Sequence, residues 1–291
     1  MENEFRRIMR EDVALVESYL SSCFVYPEEP QQALFEAMRY SLLAGGKRLR
    51  PVLVLEFCRA CGGDPASALP FAAALEMVHT YSLIHDDLPC MDNDDYRRCR
   101  LTNHKVYGEA NAVLAGDALL TAAFTRLSMA QLPAERIVQA VQMLGECAGE
   151  LGMVGGQVLD LEGEQKRLSE EEIGAIHVRK TGALISAACT LGVIAAGGSD
   201  EQFDAAGRYA AGLGLAFQIR DDMLDVIGDE QKLGKKIGMD EKKNTYARLL
   251  SLEECERRVD KLTGYATGAL AAFEDAEFLK ALALWLVERD H

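Results

Sequence analysis

After Pro133 the sequence runs to His291 without another proline, and it has no runs that alternate β-branched residues with polar ones. Long helices can therefore continue through the second half of the chain, and the period of two that marks a half-buried strand is missing. Helical spacing takes its place. Residues 31–44, QQALFEAMRYSLLA, set Leu34, Met38 and Leu42 on one stripe with Phe35 beside it. Residues 68–85, 110–130, 134–151, 170–196, 201–227 and 268–288 read the same way, rich in Ala, Leu, Met and Glu. FAAALEMVHTYSLI (71–84) and ALISAACTLGVIAA (183–196) are apolar nearly all round, as befits helices inside a multi-helix bundle. No repeat or Pro/Ser-rich linker divides the chain, so the expectation is one all-α domain.

Composition narrows the function. With 49% hydrophobic residues the chain can build a sizeable core. A net charge of −15 argues against nucleic acid or an anionic membrane as partner, because phosphates must be met by positive charge. A small anion remains open where basic residues gather, or where metal ions bridge carboxylates to it. The eight cysteines, Cys23, Cys58, Cys61, Cys90, Cys99, Cys147, Cys189 and Cys255, are too sparse for a disulfide scaffold. Cys58 and Cys61 form an isolated CxxC pair with no second pair nearby, and free thiols in a reducing cytosol are the better account. MENEFRRIMREDVALVE has no apolar core of a secretory signal, so a cytoplasmic location is expected. Thr181–Ser199 approaches membrane-spanning length, but its Gly, Thr, Ser and Cys content reads as a buried core helix.

Two acidic clusters follow apolar helices. Asp86-Asp87-Leu88-Pro89-Cys90-Met91-Asp92 offers only oxygen donors, which suit a hard cation such as magnesium. On a straight helix Asp86 and Asp92 would stand about 240° apart. Pro89 removes a donor and clashes with the carbonyl of His85, so the helix should break and bring Asp92 round. An EF-hand does not fit: counted from Asp92, position 6 is Arg97 and position 12 is Asn103. Taken alone, this cluster is equally well read as a solvated acidic turn. In Asp221-Asp222-Met223-Leu224-Asp225, Asp221 and Asp225 share a helix face and repel unless a cation lies between them. Together, facing across a cavity, the clusters would hold metals that a diphosphate can bridge.

Basic residues complete the pattern. In Gly45-Gly46-Lys47-Arg48-Leu49-Arg50-Pro51 the glycines suit a helix end and Pro51 a helix start, placing Lys47, Arg48 and Arg50 beside backbone donors that favour an anion. Arg97-Arg98-Cys99-Arg100 follows the first acidic cluster, and Lys180, Lys235-Lys236 and Lys242-Lys243 surround the second. There is no Walker A loop, GxGxxG, HExxH or G-x-S-x-G, so neither nucleotide phosphates nor side-chain nucleophiles are indicated. What remains is an apolar chamber with two acidic mouths and several anion clamps. Such equipment suits ionisation of an allylic diphosphate inside dry walls.

In family order, GGKRLRP (45–51), HxYSLIHDDLPCMD (79–92), DDYRR (94–98), GDALL (116–120), GGQ (155–157), KT (180–181), FQIRDDMLD (217–225), LGK (233–235) and KNTY (243–246) resemble the bacterial trans-prenyl diphosphate synthases. The resemblance runs from about Gln31 to the C-terminus. It implies one polyprenyl synthetase domain over residues 1–291, an isoprenoid-synthase bundle of long helices around a central cavity. It also implies a homodimer, usually three Mg2+ ions, and isopentenyl and allylic diphosphates as substrates. Carried over, Asp86, Asp92 and Asp221 are the expected metal ligands, with Asp87 and Asp225 as further candidates. Lys47, Arg50, His79 and Arg98 match positions that bind the homoallylic diphosphate. Arg97, Lys180, Thr181, Gln218 and Lys235 match those that hold the allylic one. The catalytic set is then Asp86, Asp92, Lys180, Asp221 and Lys235, with the released diphosphate as the final base.

The chain departs from the family's RRGxPT at Cys99 and Leu101, which is expected to reposition the loop while keeping both arginines. Tyr81 stands five residues before Asp86, about 7.5 Å down a helix, where its ring can floor the pocket. That feature resembles the farnesyl-specific members. The alternatives are a geranylgeranyl diphosphate synthase, with the floor elsewhere, and a non-catalytic prenyl-diphosphate-binding subunit.

Overall fold

The computed structural model describes residues 2–227 and 244–288. Its helices are α1 (Glu2–Ser21), α2 (Gln32–Leu42), α3 (Leu49–Ala60), α4 (Pro65–Asp86), α5 (Asn103–Tyr107), α6 (Glu109–Ser128), α7 (Ala134–Ala148), α8 (Met153–Gly163), α9 (Glu170–His177), α10 (Ala183–Ala196), α11 (Asp200–Ile227), α12 (Tyr246–Leu249), α13 (Leu252–Ala269) and α14 (Glu277–Glu288). Among the described residues the only strands are a two-residue ribbon, β1 (Tyr96–Arg97) with β2 (Arg100–Leu101). The all-helical expectation is met.

α4 and α10 occupy the middle of the bundle, and both are buried on nearly every side. α4 packs on α3, α6 and α10; α10 packs on α3, α7 and α11. α4 starts where Asp64 accepts a hydrogen bond from the amide of Ala66 at 3.0 Å, with Pro65 in the first turn. Close approach of α10 to α3 requires Gly192, because a Cβ there would strike the carbonyl of Val54. Residues 170–196 are long and apolar enough to cross a membrane by composition, yet most of that stretch is buried inside the bundle. A smaller cluster of Leu168, Ile173, Ile176, Ile219, Met223 and Tyr246 ties α9, α11 and α12 together.

Two expectations change, and one helix appears that was not anticipated. Residues 268–288 are not one helix: α13 ends at Ala269, a 3-10 turn spans Leu270–Ala272, and α14 begins at Glu277. The apolar pattern runs across this break because Leu270 and Phe273 are buried from a turn, Phe273 edge-on to Phe57 at 5.5 Å. Residues 170–196 are interrupted by a π-helical turn, Val178–Gly182. α8, with Gly155 and Gly156 in its first turns, is a helix that propensity disfavours and packing supplies.

Candidate active site

α4 ends at Asp86, and the chain then folds back on itself. The amides of Met91 and Asn93 donate to the carbonyl of Leu88, and that of Asp92 donates to the carbonyl of Asp86 at 2.9 Å. Pro89 thus ends the helix as its chemistry requires, and Asp92 returns beside Asp86. Burial pushes the Asp86 carboxyl up to about 6, with Asp92 and Asp87 adding to the rise while Lys180 and Arg97 oppose it. Asp87 faces the other way, although burial raises its carboxyl too. Its buried carboxylate accepts from Arg97 Nε at 2.7 Å and pairs with Arg97 Nη2 at 2.6 Å, away from the cavity that Asp86 lines. The fold therefore brings Asp86 and Asp92 together and commits Asp87 to an arginine.

The second acidic cluster lies at the end of α11. Asp222 is buried and accepts from Gln218 Nε2 at 3.2 Å and from the amide of Tyr246 at 2.8 Å, so it ties α11 to α12. Gln218 in turn accepts from Thr181 Oγ1 at 3.3 Å, which joins two expected substrate-binding residues. The side chain of Asp225, and the whole of Lys235, Lys236, Lys242 and Lys243, lie outside the described residues. His177, at the end of α9, has its imidazole pushed down to about 4 by burial, with the charge of Lys180 adding to the fall and Asp160 and Asp221 opposing it. Lys180 is thus within electrostatic reach of Asp86 and of His177, on which Asp221 also acts.

Lys180 and Thr181 are presented by the π-helical turn, a geometry often found at functional sites. Gly156 explains how that turn meets α8: a Cβ there would clash with the amide of Lys180. One helical turn further on, Asp160 pairs with Lys180, Oδ2 to Nζ at 2.6 Å. Asp160 was not singled out from the sequence. Its only signal is its place four residues after Gly156, and nothing in the spacing says which residue lies opposite.

Gly45 and Gly46 have φ of +80° and +122°, and Arg48 follows at +49°. Here the sequence reading needs correction, because Arg48 does not join an anion clamp. It is buried and paired with Glu17 and Glu76, and it donates to the carbonyl of Leu42 at 2.7 Å. Lys47 is exposed, its Nζ 5.8 Å from the ring of Trp285. Arg50 and His79 do meet, Nη1 to Nε2 at 3.4 Å, and Arg50 Nε finds no hydrogen-bond partner among the described residues. Burial, reinforced by Arg50 and Arg98, holds His79 well below the usual imidazole range. Arg98 donates to the carbonyl of Gly45 and covers Gly46, where a Cβ would come within 2.9 Å of its guanidinium carbon.

Arg98 and Cys99 form the two-residue turn of the ribbon, both with positive φ (+52° and +59°). Turns of this kind favour glycine at the second position, so Cys99 adopts a conformation that costs it energy. The loop nevertheless stays anchored: Tyr40 donates to the carbonyl of Leu101 at 2.8 Å, and Arg100 stacks on the Tyr40 ring at 4.2 Å.

These elements enclose a cavity of about 550 Å³. Arg50, His79, Asp86, Lys180 and Thr181 line its polar end, and Leu88, Met153, Val158, Leu161 and Leu184 its apolar walls. Tyr81 also lines it. The residue is only 6% exposed, and its ring meets His85 edge-on at 5.7 Å. His85 reaches this position because Gly116 on α6 carries no Cβ to block its ring. A larger hollow, about 910 Å³, lies between the α1–α2 connection, α2 and α6 and contains none of the expected site residues.

The donor set suits magnesium. Asp86, Asp92 and Asp221 offer hard oxygen only. Among the described residues no three acidic, histidine or cysteine side chains form a ready-made cage. Ions held here would complete their coordination with water and substrate phosphate, as magnesium ordinarily does.

The sequence model of the family described as polyprenyl synthetase matches residues 31–281. A farnesyl diphosphate synthase of Micrococcus luteus is 48% identical over 263 residues, 89% of this chain and 90% of the relative. Geranylgeranyl pyrophosphate synthase 7 of Arabidopsis thaliana, a chloroplastic protein, is also 48% identical, over 267 residues, 89% of this chain and 77% of the relative. The crystal structure of an FPP/GFPP synthase from Zymomonas mobilis superposes with a TM-score of 0.90 at 36% identity, covering 99% of this chain and 100% of that one.

Proposed function

The chain belongs to the polyprenyl synthetase family, and on that premise we propose that it is a farnesyl diphosphate synthase, joining isopentenyl diphosphate to dimethylallyl and then geranyl diphosphate. It is a trans-prenyl diphosphate synthase, a prenyltransferase. The product length, the site roles, the metal count, a homodimeric assembly and a cytoplasmic location belong to the proposal.

In this reading Arg50, His79 and Arg98 hold the homoallylic diphosphate, and Lys47 approaches from the exposed side. Lys180, Thr181, Gln218 and Arg97 steady the allylic diphosphate as its C–O bond breaks. Asp86, Asp92 and Asp221 would hold magnesium, which when bound neutralises charge on the leaving group. The apolar walls keep water from the allylic cation, and the departed diphosphate accepts the proton lost from the new chain. His79 suits a neutral donor role, because burial beside two arginines keeps it unprotonated.

The observation that carries the choice of product is that Tyr81 lines the cavity, five residues before Asp86; in this reading its ring limits the depth. The test is to incubate the protein with magnesium, isopentenyl diphosphate and each allylic starter, then identify the hydrolysed products by mass. A fifteen-carbon alcohol supports the reading, and Tyr81→Ala should then lengthen the product. A twenty-carbon product from the unaltered protein would establish a geranylgeranyl synthase, a reading favoured by the equal identity to the Arabidopsis relative. No product with any starter would point to a non-catalytic subunit.

A further inference from the structure

We propose that Asp160 is a positioning residue that holds Lys180 apart from Asp86 while the allylic site is empty. Lys180 lines the cavity and its partner Asp160 is not among the lining residues. The pair is close, 2.6 Å, and partly exposed, with side chains about a third accessible (30% for Lys180, 35% for Asp160). Three features set its geometry. The π-helical turn carries Lys180, Gly156 lets α8 press against the amide of Lys180, and Asp160 follows Gly156 by one turn on the same face.

Lys180 has a second carboxylate within electrostatic reach, Asp86 at the end of α4. An ammonium is a compact charge on a flexible stem and turns to whichever carboxylate is offered. If it paired with Asp86, it would occupy an expected metal ligand and withdraw itself from the diphosphate. Asp160 prevents this by holding the Lys180 ammonium in its own ion pair. Arg97, another cation expected at the allylic diphosphate, is likewise paired with a carboxylate, Asp87, although Arg97 itself does not line the cavity.

The inference rests on the prenyl-transfer reading of the cavity, and the test separates the two. Binding of geranyl S-thiolodiphosphate, whose C–S bond ionises slowly, would be measured by calorimetry in magnesium for the unaltered protein, Asp160→Asn and Asp160→Glu. Asp160→Asn is expected to bind it about tenfold more weakly, the scale of one charge-assisted contact. Asp160→Glu should restore most of the affinity. The KM for geranyl diphosphate should rise while that for isopentenyl diphosphate stays put, with an unchanged melting temperature. Equal or tighter binding by Asp160→Asn, or matching shifts in both KM values, would overturn the inference. Failure of the unaltered protein to bind the analogue would overturn the reading of the cavity and the inference with it.

Discussion

The backbone amide of Asp92 is hydrogen-bonded to the backbone carbonyl of Asp86 at 2.9 Å, although five residues separate them and a continuous helix would set them on different faces. The turn between them depends on Pro89, which cannot continue α4. Replacing Pro89 with Ala lets the helix extend and carries Asp92 away. The expected result is a loss of about tenfold or more in kcat, the scale on which misplaced groups act. Magnesium should also be required at higher concentration. Unchanged magnesium dependence would mean that Asp92 need not stand beside Asp86.

Gly156→Ala places a methyl group against the amide of Lys180. Backbone cannot give way there as a side-chain tip would, so α8 or the π-helical turn must shift. A destabilisation of about 1–3 kcal/mol is expected, together with a fall in activity of about tenfold or more. Thermal melting and steady-state kinetics check both.

His177 makes the fold sensitive to acid. Its imidazole is stacked on Tyr246 at 5.5 Å and held down to about 4, chiefly by burial, against about 6.5 in an unfolded chain. Asp160, Asp221, Asp222 and Lys180 are the charges around it. Because the neutral form is favoured in the fold, its contribution is fully present above about pH 6.5 and is lost as pH falls towards 4. The effect is at most about 3 kcal/mol. His177→Phe keeps the stacking and removes the proton, so its melting temperature should fall less between pH 6.5 and 4.5 than that of the unaltered protein. Equal falls would assign the acid sensitivity elsewhere.

Cys99→Gly relieves a residue held at φ +59° in the ribbon turn. Glycine adopts that conformation freely, although it loses more freedom on folding. A net gain of up to about 1 kcal/mol is expected, with activity retained because Arg97 and Arg98 keep their partners. A lower melting temperature would show that the thiol contributes packing that outweighs the backbone cost.

Tyr81 and Asp92 show how much of the site could be read without the fold. Tyr81 was legible because it lies on the same helix as Asp86, and helix geometry alone gives its depth and direction. Asp92 was legible through Pro89, whose effect on a helix is local. The same holds for the helical class, the central burial of 71–84 and 183–196, and the pairing of the two acidic motifs with apolar helices. These are matters of periodicity and backbone chemistry within a few turns of chain.

Contacts between distant segments had no such signature. Arg48 and Arg50 are two residues apart in one basic run, yet Arg48 is buried against Glu17 and Glu76 while Arg50 faces the cavity and His79. Asp87 differs from Asp86 only in the direction it faces, and that direction is set by Arg97 on the ribbon. Asp160 acquires its place only when α8 docks on the π-helical turn. Sequence by itself determined which residues could carry charge, metal and apolar wall. The packing of helices decided which of those charges face the cavity and which neutralise one another, because the alignment of distant side chains depends on the angle and depth at which helices meet.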